Sequence, residues 1–137
     1  MFLNQSVTPY LLGGLLGAAV VAAQAATPLE LQQQMATAAR VSGGGFSAQR
    51  GRTFFSQTHG NDWSCTSCHT ANPLAPGRHV VTGKDIAPLA PAANPQRFTD
   101  PAKVEKWFAR NCNDVLKRTC TAAEKGDVLE YLLSLAK

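Results

Sequence analysis

The chain has no methionine after position 35; Met1 and Met35 are its only two. From Met1 to Ala25 it has no charged side chain. It has no second C-x-x-C beside the one at Cys65 and Cys68, no strand-like run before Cys65, no internal repeat and no basic block interleaved with aromatics. Each absence removes a class. Without a basic patch or a recognisable binding motif, nucleic acid is excluded as a partner. A closed zinc site would need two further ligands at similar spacing, and none is offered. A thioredoxin-like redox pair would follow a strand in a βαβ pattern, and no strand leads into Cys65. With no strand pattern anywhere, the fold class expected is all-α, and the length of 137 residues sets one domain as the prior.

What is present is Cys65-Thr66-Ser67-Cys68-His69. A C-x-x-C-H run is the attachment pattern of a c-type haem. Two thiols on one helical turn add to the two vinyl groups of one porphyrin, and the next residue brings its imidazole under the iron as proximal ligand. The cofactor expected is one covalent haem c, held by Cys65, Cys68 and His69. The mature chain is small, and a buried haem supplies apolar surface that its side chains alone do not.

The uncharged start contains an apolar run from Leu11 to Ala23, and Ala23-Gln24-Ala25 offers an A-x-A cleavage pattern. A core of about a dozen residues is short for a bilayer span, so residues 1–25 read as a secretory signal. The lack of Lys or Arg in Met1–Tyr10 leaves an uncleaved N-terminal anchor as the alternative, and that is the one route to a membrane. Either way the remainder is exported, to the periplasm, where c-type haem is attached. All 13 Lys/Arg and all 9 Asp/Glu follow this segment, so the net charge of +4 belongs to the mature part and suits an acidic redox partner. In an oxidising compartment the remaining cysteines, Cys112 and Cys120, are expected to pair; two free thiols are the alternative.

Thr27-Pro28-Leu29-Glu30 opens a helix with a capping-box pattern, running to about Arg40. Leu29, Met35 and Ala36 give it only a weak apolar face. With the Gly-rich link Val41–Phe46 it forms a unit, 26–46, ahead of a cytochrome c domain, 47–137. Ser47 caps a helix through about Thr58, with Gly51 and Phe55 on one face. Residues 59–64 form a turn into the haem motif. Pro73, Pro76, Pro88, Pro91 and Pro95 forbid a long helix between Asn72 and Pro95, so this stretch is a loop wrapping the haem edge. Asp100-Pro101 starts another helix, with Val104, Trp107, Phe108 and Asn111 on one continuous face. Thr121-Ala122-Ala123-Glu124 opens the last, whose buried face is Val128, Leu129, Tyr131, Leu132 and Leu135.

The distal iron position is limited by the missing methionines. Met35 would reach it only if the first helix folded over the distal face. His79 lies in the Gly-rich start of the loop, where an imidazole serves either the iron or a haem propionate. His59 sits on the wrong side of a short turn. Asn111 is a polar group on an apolar stripe and needs a partner when buried. It suits the iron, or else a helix C-terminal role in which it bonds the backbone. Asn113 falls off that stripe. Trp107, one turn before Asn111, either lines the distal pocket or is core. Lys84, Arg97 and His79 are candidate propionate partners. The Pro73 carbonyl, or a neighbour's, is a candidate acceptor for the second nitrogen of His69.

A helix with Gly51 and Phe55, then C-x-x-C-H, then a terminal helix with Tyr131-Leu132 resembles the class I cytochromes c. That resemblance implies a close crossing of the two helices, with Gly51 meeting Tyr131. Three further stretches are similar to the sphaeroides haem protein family: Thr82-Gly83-Lys84-Asp85-Ile86-Ala87-Pro88-Leu89-Ala90-Pro91, Pro95-Gln96-Arg97-Phe98-Thr99-Asp100, and Val104-Glu105-Lys106-Trp107 with Arg110-Asn111-Cys112-Asn113. The resemblance covers about residues 47–135. It implies an exported monohaem cytochrome with Asn111 as distal ligand and a Cys112–Cys120 disulfide beside it. It also implies ferrous binding of oxygen or nitric oxide, and electrons supplied by a dihaem cytochrome c. An amide oxygen is a hard ligand that suits ferric iron better than ferrous, so Asn111 would lower the potential and leave on reduction. A six-coordinate electron carrier with His or another distal ligand is the competing reading. A nitric oxide dioxygenase or oxygen-reducing enzyme is a third. No acid–base set of the kind peroxide chemistry needs is apparent.

Overall fold

The computed structural model describes residues 25–39 and 45–135; the expected signal up to residue 24, the expected end of the first helix at Arg40, most of the Gly-rich link and the last two residues lie outside them. Among the described residues five helices follow in order: α1 Pro28–Ala39, α2 Ala48–Ser56, α3 Thr66–His69, α4 Pro101–Leu116 and α5 Ala122–Ser134. None of the described helices is long and apolar enough to cross a membrane.

The helix starts follow from their capping residues. Ser47 Oγ accepts the Arg50 amide, and Asp100 Oδ1 accepts that of Lys103. Thr27 with Glu30 and Thr121 with Glu124 both form reciprocal capping boxes. α2 ends at Ser56, two residues before the expected end, because Gln57 turns extended and His59 Nε2 bonds the Phe54 carbonyl at 2.8 Å. α4 ends at Lys117, a left-handed residue whose amide donates to the Asn113 carbonyl.

α2 and α5 make the closest helix contact in the fold. The crossing lies at Gly51, where a Cβ atom would sit 1.9 Å from the Asp127 carbonyl oxygen and 2.9 Å from Tyr131 Cβ. Phe55, Val128, Tyr131 and Leu132 fill the interface. At its end, both Asp127 oxygens accept 2.7 Å hydrogen bonds from Arg50, and Oδ1 also accepts the Ser47 amide.

α1 docks on α5 through Leu31 and Met35, both buried with Val104 and Leu129. The face differs from the one expected, since Leu29 is 59% exposed. Leu31 and Met35 stand four positions apart and share a stripe that Leu29 does not. Met35 is therefore held in the core beneath Phe98 and Phe108.

The inner face of α4 is Val104, Phe108, Cys112, Val115 and Leu116. Its backbone stands off from α2 and α5, and Phe108 bridges by packing against all three core clusters. Cys112 and Cys120 form a disulfide with Cα atoms 5.7 Å apart, which fastens the end of α4 to the approach of α5. Glu105 and Lys125 add an ion pair at 2.5 Å between the two helices.

The proline-rich stretch has no helix, as expected, but it does contain a hairpin. Strands β1 (Gly77–Arg78) and β2 (Asp85–Ile86) pair antiparallel, with Gly77 opposite Ile86 and Arg78 opposite Asp85. Two-residue strands carry no periodicity, so they escape a pattern search. The all-α class stands.

Glu124 closes the α5 capping box and accepts a fork from Arg118 at 2.7 and 2.9 Å. These bonds, the Arg118 pair foremost, hold its carboxyl down at about 2 against an ordinary 4.5. A depressed carboxylate contributes stability that is complete above its unfolded value and disappears as pH falls towards its folded one. Glu124→Gln is therefore expected to cost about 1–2 kcal/mol at pH 7, after allowing for solvent screening, and almost nothing near pH 2. Urea unfolding at the two pH values checks this; an equal loss at both would reject it.

Candidate haem site

The haem motif forms a single turn. Cys65 is the N-cap of α3, and its carbonyl accepts the amides of Cys68 at 3.3 Å and His69 at 3.0 Å. Buried Ser64 anchors the turn, with its amide donating to Ser67 Oγ and its hydroxyl paired with Thr66 Oγ1 at 2.6 Å. The turn stops abruptly at Thr70, whose φ of +60° with ψ of 169° is a region normally left to glycine. Its hydroxyl holds the strained geometry by donating to the Asn72 carbonyl and accepting the Asn72 amide.

The Cys65 and Cys68 thiols are free, and a turn of helix carries both with His69. Burial pushes the Cys65 thiol up to about 11. Burial, helped by the charge of Arg97, pulls the His69 imidazole down to about 4, so it is neutral at ordinary pH, as a metal ligand must be. The Phe55 ring stands 6.2 Å from the His69 ring. Cys65, Leu89, Phe98 and Phe108 pack on the same cluster as Phe55. Two unpaired thiols, a neutral imidazole and an apolar wall fit a haem c.

A glycine outside the C-x-x-C-H motif positions this turn. A Cβ on Gly77 would lie 2.1 Å from the Cys68 carbonyl oxygen and 3.0 Å from His69 Cα. The hairpin therefore lies directly against the haem-binding turn, and only glycine allows the approach. The Pro76-Gly77 dipeptide was the available signal.

The other candidate residues fall in distinct places. Pro73 does not have its carbonyl free for His69, because that oxygen accepts the amides of Leu89 at 2.9 Å and Ala90 at 3.0 Å. Its role is to fold the loop back under the motif. Arg97, half-buried, donates from Nε to the Pro88 carbonyl and from a terminal nitrogen to that of Ala87, so it braces the same loop. Lys84 is exposed on the hairpin. His79 organises the hairpin tip, with Nδ1 accepting the amides of Val81 and Thr82 at 3.2 Å. That arrangement puts the ring proton on Nε2, making the outer nitrogen a donor. Iron ligation through Nε2 would place a proton on Nδ1, facing two N–H groups.

On α4, Asn111 is half-buried at the edge of the inner face. The helix continues beyond it to Leu116, so it is not the C-terminal capping residue; Lys117 has that place. Asn113 is exposed. Trp107 is 45% exposed, outside the core, with Arg110 stacked 5.7 Å from its ring centre.

A helical shell closed by an α2–α5 crossing around a C-x-x-C-H turn defines a class I c-type cytochrome. Residues 41–132 match the family described as Domain of unknown function (DUF1924). The chain is 54% identical over 89 residues to cytochrome c-type protein SHP of Cereibacter sphaeroides, spanning 62% of this chain and 68% of that protein. It is 45% identical over 91 residues to cytochrome c'' of Methylophilus methylotrophus, spanning 64% and 63%. The fold superposes on oxidised SHP, described as an oxygen-binding cytochrome c, with a TM-score of 0.73 and 45% identity, over 81% of this chain and 99% of that one. On oxidised cytochrome c'' the TM-score is 0.70 at 38% identity, over 80% and 95%. The chain belongs to the sphaeroides haem protein family.

Proposed function

We propose that this chain is an exported monohaem cytochrome c in which His69 and Asn111 would both ligate the bound haem iron, the Asn111 amide being the labile ligand that would leave on reduction and so allow oxygen or nitric oxide to bind. Bound through Cys65 and Cys68, the haem would supply one-electron chemistry and a binding position for a diatomic gas. His69 holds the proximal side as a neutral imidazole. Arg97, Lys84 and the Nε2 proton of His79 are the proposed partners of the propionates. Trp107 lies on the rim of the distal side. Electrons would come from another cytochrome, such as a dihaem cytochrome c.

The placement of Asn111 carries this reading. It sits mid-helix, half-buried, with buried Cys112 next in the chain and tied to Cys120. The disulfide stiffens the segment that the leaving amide belongs to, so its excursion is short. The oxygen-binding description of the related SHP structure agrees with it.

The test is the reduced holoprotein with and without carbon monoxide: a five-coordinate high-spin spectrum that shifts rapidly with the gas supports a labile ligand, and an indifferent low-spin spectrum rejects it. Haem attachment has its own measurement. Haem should stay with the polypeptide on a denaturing gel and through acid–acetone extraction. Cys65→Ala with Cys68→Ala should release all of it; haem extractable from the unaltered protein would reject the thioethers.

A further inference from the structure

We infer that the outer face of α4 is the docking surface for an acidic, one-electron donor protein. This rests on the reading above only in that the chain takes up an electron at its haem. Lys103, Lys106 and Arg110 are exposed and lie three and four positions apart, so they form one row on the side of α4 turned from the core. Lys117 continues the row past the helix end. Asp114 is the carboxylate that shares this side, and Glu105 lies away from it, paired with Lys125.

Two tryptophans tie this row to the haem site. Trp107, 45% exposed beneath Arg110, separates the row from Asn111 one turn on. Lys117 Nζ stands 6.0 Å from the ring centre of Trp63, which is 36% exposed and two residues before Cys65. The strip thus runs from beside the distal residue to beside the first thioether cysteine. A positive strip with aromatic faces exposed along it complements an acidic rim around a donor's redox centre. Opposite charge speeds encounter and orients it without requiring tight binding. One electron passes from the donor to one ferric centre, and no covalent bond of either protein is made or broken.

The experiment follows reduction of the ferric holoprotein by an acidic flavodoxin hydroquinone in stopped flow. The rate is expected to fall about tenfold as ionic strength rises from roughly 10 to 300 mM. Lys106→Glu and Arg110→Glu should each slow it about fivefold at low salt and flatten that dependence, while Arg52→Glu, the same charge change on α2, should slow it less than about twofold. Reduction by the methyl viologen radical cation should not slow in any variant. If Arg52→Glu acts as strongly as Lys106→Glu, only net charge steers and the face is rejected. If the α4 variants lose sedimentation with phosphatidylglycerol vesicles but keep their flavodoxin rates, the face belongs to a membrane and the inference is overturned. Carbon monoxide spectra of the same samples keep the two readings apart: an unreactive ferrous haem removes the gas-binding reading and leaves the flavodoxin result standing.

Discussion

Asn111→Ala holoprotein is expected to differ markedly from the unaltered protein in its ferric spectrum and to bind carbon monoxide faster once reduced. The reason lies in the shape of α4. Phe108 and Cys112, on either side of Asn111 along the inner face, are held in the core and in the disulfide. The helix cannot rotate to offer a neighbour, and Asn113 points to solvent. On the proposed ligation, removing the amide therefore leaves the position without a protein ligand. Asn111→Met should do the opposite. A thioether holds ferrous iron better than a hard amide oxygen does, so this variant should stay low-spin when reduced, bind carbon monoxide poorly and have a potential raised by on the order of 100 mV. His79→Ala should leave both spectra unchanged, because its Nδ1 is engaged by the hairpin tip. If His79→Ala alters the ferric spectrum and Asn111→Ala does not, the distal ligand is His79.

The parts of this molecule readable from sequence are those set by neighbours along the chain. The caps at Ser47, Asp100 and Thr121 depend on three-residue spacings, and each is bonded as its pattern implies. The C-x-x-C-H turn is one helical turn by the same logic. Gly51 and Tyr131 were readable as a crossing through family likeness, since their approach joins distant segments. What stayed hidden was set by distant backbone. Gly77 is required by the Cys68 carbonyl, and the Pro73 carbonyl is claimed by Leu89 and Ala90 across the loop. Leu31 rather than Leu29 is buried because α1 docks on α5 with a face that its sparse apolar residues define poorly. Trp107 follows an apolar periodicity, yet the buried stripe of α4 is narrower than its apolar one, and Trp107 falls on the rim. The chemical role proposed for Asn111 has no local signature at all. A polar residue on an apolar stripe asks for a partner without naming it.

The largest loss of stability from a single methyl group should come from Gly51→Ala. The added Cβ would lie 1.9 Å from the Asp127 carbonyl oxygen and 2.5 Å from the Asp127 carbonyl carbon, both backbone atoms of a packed helix. No side-chain rotation relieves that overlap, so α2 and α5 must move apart. Separation loosens Phe55, Val128 and Leu132 together and stretches the bonds from Arg50 and Ser47 to Asp127. Overpacking of this kind costs about 3 kcal/mol or more, and the gain of about 1 kcal/mol from the better helix propensity of alanine offsets little of it. Gly126→Ala is the matched control. Its Cβ would meet the Phe46 ring at 2.1 Å, but that ring is a half-buried side chain that can turn aside. The expected cost there is about 1 kcal/mol. Urea unfolding of the two holoproteins orders them, and equal or reversed losses would place the tight crossing elsewhere. Because Phe55 also stands against His69, the Gly51 variant should disturb the proximal side as well, and its ferric spectrum should change where that of the Gly126 variant does not.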